Sequence, residues 1–122
     1  GIRVSLFVEP ERAVMEAAAA LDAPVVELHT GTYCHAVIDG VPGRIAAEIE
    51  RLAVAASYGA SLGLEIHAGH GLTVASVAPV AALPEIAELN IGHSLISDAI
   101  FVGLDQAIRT MRAAMDAARP PS

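Results

Sequence analysis

The chain has 122 residues, of which 54% are apolar and 3% aromatic, with a formal net charge of −7 and one cysteine. That length suits a single domain over residues 1–122, while the acidic balance and scarce aromatics argue against a nucleic-acid surface. Cys34 alone excludes a disulfide framework or a cysteine-rich zinc site. Arg, Asp and Glu break every apolar run before membrane-spanning length, and the N-terminal residues do not read as a secretory signal, so a soluble cytoplasmic protein is expected.

Arg3 to Glu9 alternates, with Val4, Leu6 and Val8 on one face and Arg3, Ser5, Phe7 and Glu9 on the other. This predicts a strand, ended by Pro10. The alanine-rich run Glu11 to Leu21 predicts a helix with Val14, Ala17, Ala18 and Leu21 as its apolar stripe. Val25 to Thr30 predicts a second strand. Gly31 to Gly43, rich in turn residues, reads as a loop long enough to serve as a lid, with His35 solvated and Cys34 an inert loop thiol. Arg44 to Leu62 predicts a long helix with Ile45, Ile49, Leu52 and Ala56 on one face, stopped by Gly63.

The stretch Leu64-Glu65-Ile66-His67-Ala68-Gly69-His70-Gly71-Leu72 organises the rest. It starts as a third strand and breaks at two glycines that free the backbone to turn sharply, with His70 projecting between them. Thr73 is expected to cap the next helix, Thr73 to Leu83, whose free N–H groups would face the same place. Pro79 weakens that helix if it lies past the first turn. Glu88 to Ile91 predicts a fourth strand, followed by Gly92-His93-Ser94, a short helix from Ser94 to Val102, and a helix from Leu104 to Ala118. Leu104, Ile108, Met111 and Met115 share one face of the last helix, and Arg119-Pro120-Pro121 ends the structure.

Repeated βα units imply parallel strands with right-handed crossovers. One side of every strand is aliphatic: Val4, Leu6, Val26, Leu28, Leu64, Ile66, Leu89 and Ile91. The other carries Ser5, Glu27, His29, Glu65, His67, Glu88 and Asn90. A doubly wound sheet buries both faces and needs continuous apolar runs. One polar face suits the interior of a barrel, and four units are half of an eight-stranded one. Such a half leaves two open edges, so further polypeptide or another chain is expected to complete it.

The strings RVSLF, VELHTG, ASLGLEIHAGHGLT and ELNIGHSLI, in this order and spacing, resemble the C-terminal half of the pyridoxine 5′-phosphate synthase family. The resemblance covers essentially the whole chain and implies the second half of a TIM (β/α)8 barrel. His67 stands where the family usually has Asn, Gly31–Gly43 departs from the family wording, and strands one to four of the family pattern have no counterpart. The implied activity condenses 1-deoxy-D-xylulose 5-phosphate with 3-amino-2-oxopropyl phosphate, phosphorylated small molecules, without metal or organic cofactor. The implied setting is a homo-oligomer, and the composition and broken apolar runs above lead to no nucleic-acid and no membrane partner being expected.

Carried over by matching position, His70 corresponds to the proton donor and Glu27 to a carboxylate that stabilises the transition state. Gly71, Gly92 and His93 correspond to substrate contacts, chiefly phosphate. The residue chemistry accords with these roles, since loss of water needs an acid active near neutral pH and cationic intermediates favour a nearby carboxylate. Other readings stay open at this point. Glu27 could pair with Arg3, His29 and His67 read as hydrogen-bonding residues of the inner face, and Glu65 and Glu88 could lie near the barrel floor. His29, His67, His70 and His93 near strand ends would also suit a metal-dependent lyase or hydrolase. A half-barrel without activity of its own is the third reading.

Overall fold

The alternation of aliphatic and polar residues is realised as four parallel strands, β1 (Ser5–Val8), β2 (Val25–His29), β3 (Glu65–Gly69) and β4 (Ile86–Asn90). The computed structural model describes residues 1–119. The helices are α1 (Arg12–Ala20), α2 (Gly31–Asp39), α3 (Pro42–Ser61), α4 (Val77–Ala81), α5 (His93–Val102) and α6 (Leu104–Ala118). The strands lie in the order β1-β2-β3-β4. A sheet that grows always in one direction, with no reversal of order, curls toward a barrel rather than winding doubly. This is the architecture of half a TIM barrel. Among the described residues, no helix is long and apolar enough to cross a membrane.

Register explains the two faces. Leu6, Val26 and Ile66 are partners across three strands, and Val8, Leu28, Ala68 and Leu89 across all four. Their side chains meet Met15 of α1, Tyr33 and Cys34 of α2, and Leu52, Ala55 and Ala56 of α3 in one apolar core. The alternate rows, Phe7, Glu27, His67 and Glu88 among them, occupy the opposite face. Glu65 begins β3, at the N-terminal end of the sheet as the floor reading anticipates, whereas Glu88 lies in mid-β4, level with His67 and Glu27.

Several helices differ from expectation. On α1 the buried residues are Met15 and Ala18, whereas Leu21 is 75% exposed. Leu21 lies past the last helical turn, and the flexible Met15 thioether instead fills the space left by Gly59, where a Cβ would stand 3.0 Å from its sulfur. The segment expected as a loop and lid is mostly helix. Tyr33, Cys34 and Ala36 bury one side of α2, Gly40 ends it at φ +67°, and Pro42 opens α3 at its first turn. The turn residues there separate two packed helices, so no lid is formed.

Helix α4 starts at Val77, four residues after Thr73. Pro79 lacks an N–H and is tolerated in a first turn, which is where this late start puts it. Thr73 therefore caps no helix. Its N–H donates to Ser76 Oγ at 2.9 Å and its carbonyl accepts from the N–H of Ser76 and Val77, closing a tight turn. On α6, Met111 and Ala107 are buried, but Leu104 and Ile108 are about half exposed. The Pro120-Pro121 stop lies outside the described residues.

The rotated stripe of α1 gives a direct test. Met15→Ala should lower the unfolding free energy by roughly 2–5 kcal/mol, the usual cost of emptying a packed site. Leu21→Ala should change it by no more than about 0.5 kcal/mol. Urea titration followed by circular dichroism distinguishes the two, and equal effects would contradict the packing described.

Candidate functional site

The polar face and the C-terminal strand ends meet where β3 gives way to a turn. His70 has φ +84° and Gly71 φ +81°. A non-glycine residue in this region costs of order 1–3 kcal/mol and persists only where its surroundings hold it. Thr30, fully buried at the end of β2, supplies that hold. Its N–H donates to the Gly69 carbonyl at 2.9 Å. Its Oγ1 stands 2.7 Å from Gly69 O and 2.6 Å from His70 O, sharing one proton between two carbonyls. The Cys34 thiol, 3.7 Å from His70 O, lies under the same turn. Burial pushes the Cys34 thiol above its ordinary pKa, with hydroxyls of Ser76 and Thr30 pulling the other way. It is a packing residue of α2 and no loop thiol.

Glu27, half-buried on the inner face, reaches across β3. A side chain at Gly69 would collide with its Oε1, so the glycine is what lets this carboxylate lie over the strand. Asn90 Nδ2 donates to Glu27 Oε2 at 3.0 Å, joining β2 to β4 above β3. Arg3, the alternative partner for Glu27, pairs instead with Glu65 at 2.6 Å. That hydrogen bond, and one from His67, hold the Glu65 carboxyl below its ordinary value.

The two other inner-face histidines differ. His67 behaves as expected: it is 8% exposed, with Nε2 2.7 Å from Glu65 Oε1 and Nδ1 3.7 Å from Glu88 Oε1. His29 does not. Its Nδ1 lies 3.3 Å from Glu9 Oε1 but out of line for a hydrogen bond, and that buried nitrogen has no partner among the described residues. The ring stacks on His70 instead, centroids 4.8 Å apart. Among the described residues, no three His, Cys, Asp or Glu side chains are placed to hold one metal ion, so the four histidines do not converge as the metal reading requires.

His70, Glu27, Gly71, Gly92 and His93 all line one cleft of about 730 Å³ at the C-terminal end of the sheet. Thr73, Ser94, Asn90, Phe7 and His35 complete much of its wall, His35 from the exposed side of α2. Ser94 Oγ donates to Leu72 O at 2.7 Å and so ties the two glycine turns together. Gly92, at the N-cap of α5, has no side chain to cap the first turn, and among the described residues backbone N–H groups are left open at that end. Such a cleft offers an exposed imidazole, a carboxylate lying over the neighbouring Gly69, and uncapped N–H groups suited to an anion. Thr30 and Asn90 carry no sequence signal beyond polarity at a strand end; their importance comes from what lies across the sheet.

The family model described as "Pyridoxal phosphate biosynthesis protein PdxJ" matches residues 1–117. Curated relatives named "Pyridoxine 5'-phosphate synthase" include those of Caulobacter sp. (strain K31), 60% identical over 119 residues, and Jannaschia sp. (strain CCS1), 59% identical over 119. That of Rhodospirillum rubrum is 63% identical over 118 residues. These alignments cover 97–98% of this chain and 46–48% of the relatives. The chain thus spans about half the length of the curated relatives it matches.

Two outcomes follow from the geometry. Gly71→Ala must place a Cβ at φ +81° and 3.3 Å from Cys34 Cβ, and should cost about 1–2 kcal/mol of stability. Gly92→Ala, with an ordinary φ of −127° and open space around it, should cost less than about 0.5 kcal/mol by the same urea titration. Glu65 makes a pH-dependent contribution. Since its carboxyl is held below the ordinary 4.5, folding favours the ionised form. The contribution is complete above that pH and is lost as pH falls through the lower folded-state value. Melting curves of Glu65→Gln should lie below those of the unmodified chain above 4.5 and converge with them in more acid solution.

Proposed function

The chain belongs to the pyridoxal phosphate biosynthesis protein PdxJ family, and from that premise we propose that its cleft is half of a pyridoxine 5′-phosphate synthase active site. The reaction is the condensation of 1-deoxy-D-xylulose 5-phosphate with 3-amino-2-oxopropyl phosphate, with closure of the pyridine ring. The observation that carries the reading is the convergence of His70 and Glu27 on the cleft that also holds Gly71, Gly92 and His93.

In this reading His70 donates the proton that lets a hydroxyl leave as water. Its position on an exposed turn brings the imidazole to substrate while solvent can reload it. Glu27 stabilises the cationic carbinolamine or imine as charge develops. Asn90, bonded to one of its oxygens, fixes the direction of the other. The N–H groups at Gly71 and at the opening of α5 receive phosphate, with His93 beside them.

The four units are proposed as the second half of the barrel. Supporting this, a helix, α5, intervenes between the last strand and the final helix α6. The phosphate site of a TIM barrel is commonly built from the last two strand–helix loops and the start of such an extra helix. A homo-oligomer belongs to the same proposal, supported by the exposed Ile96, Ile100 and Phe101 of α5. So does a cytoplasmic setting.

Residues that accept protons in the family have no counterpart among these 122 positions. The complete reaction is therefore expected only when a second four-unit half closes the barrel, in cis or by mixing. In that closed enzyme His70→Asn should lower turnover roughly 10²–10⁴-fold, the usual worth of a positioned acid. Phosphate release with both substrates measures it. An unimpaired His70→Asn enzyme, or full turnover by these 122 residues alone, would refute the assignment of roles.

A further inference from the structure

We infer that His29 is a positioning residue for His70, its ring forming the flat shelf against which the His70 imidazole is held. This rests on the role proposed above for His70 and adds to it a residue that the proposed chemistry leaves unused.

The bonds from Thr30 and Cys34 end on the His70 carbonyl and so fix its backbone, not its imidazole. A proton donor also needs its ring held. In many sites a hydrogen bond from a third residue does this; here the contact is a stack. His29 ends β2 in register with Gly69. Its ring lies 4.8 Å from the His70 ring at an interplanar angle of 28°. The Phe7 ring meets it edge-on at 5.0 Å and 73°, and Phe7 is itself 6.2 Å from His70.

The place for the His29 ring is reserved by Gly31. A Cβ there would stand 2.6 Å from His29 Cε1 and 3.1 Å from Nε2. Three elements therefore box the ring: β1 through Phe7, the start of α2 through Gly31, and the β3 turn through His70. In this pose Nδ1 is buried without a hydrogen bond, although the Glu9 carboxylate is 3.3 Å away. A buried polar atom left unpaired calls for a compensating reason. The stack supplies it: the ring gives up a well-aligned bond to Glu9 and lies flat beside His70.

The test uses the barrel-closed enzyme and three substitutions. His29→Ala should lower kcat roughly 10–100-fold with KM within about twofold, as expected when a reacting group is misplaced by about an ångström. His29→Leu keeps bulk without a flat ring and should behave like His29→Ala, which also guards against a cavity that merely unfolds the site. His29→Phe keeps the flat ring without its nitrogens and should retain kcat within about threefold. A His29→Phe enzyme as impaired as His29→Leu would assign the imidazole a proton or hydrogen-bonding role and overturn the inference. Unimpaired His29→Leu would overturn it as well. His70→Asn in the same assay separates the two levels. If it is unimpaired, the reading of His70 fails; if it is impaired while His29→Leu is not, only the shelf fails.

Discussion

The buried Thr30 hydroxyl is the point on which the site depends. A left-handed His70 costs of order 1–3 kcal/mol, and a buried hydrogen bond contributes roughly 0.5–1.5 kcal/mol net. The Thr30 N–H and hydroxyl together reach the Gly69 and His70 carbonyls, so their sum is of the size needed to hold the turn. Without them the chain after β3 would relax toward ordinary φ, and the imidazole would leave the cleft. The strain is thus stored at the position proposed to do the chemistry and offset one strand away.

Glycine governs the neighbouring carboxylate in a different way. At Gly69 what matters is an absent side chain, not an unusual φ: the vacancy admits Glu27 above β3 and lets Asn90 reach it from β4. Arg3, Glu65, His67 and Glu88 form a separate polar chain, which starts at the N-terminal end of the sheet. Because Arg3 is taken up by Glu65, the Glu27 carboxylate keeps a neutral amide as its partner. That arrangement orients the carboxylate while leaving its charge for a cationic intermediate in the proposed reaction.

The helices after β4 divide their apolar residues between two uses. Ala107 and Met111 pack inward, while Ile100, Phe101, Leu104 and Ile108 face out. An open four-stranded sheet also leaves β1 and β4 each with one unpaired edge. In the proposal above, a completing half would cover this apolar surface and these edges.

Much of this was legible in the order of residues. Two-residue alternation put aliphatic and polar side chains on opposite faces of the strands, interrupted in β4 by a register shift after Ile86, and this decided between a barrel interior and a doubly wound sheet. The AGHG turn announced a sharp break carrying His70, and Gly63 and the Leu104–Ala118 periodicity marked helix limits. Other features depended on partners distant in sequence. Gly31–Asp39 reads as a loop until the core that buries Tyr33, Cys34 and Ala36 exists, because local propensity there is weak and tertiary burial decides. Which face of α1 turns inward depended on the gap at Gly59, forty-four positions from the Met15 that fills it. The Thr30 clamp, the Asn90–Glu27 bond and the His29–His70 stack join residues 39 or more positions apart. Periodicity within one segment reports only which side a residue faces; what it meets there is set by strand register, and register exists only once the sheet has formed.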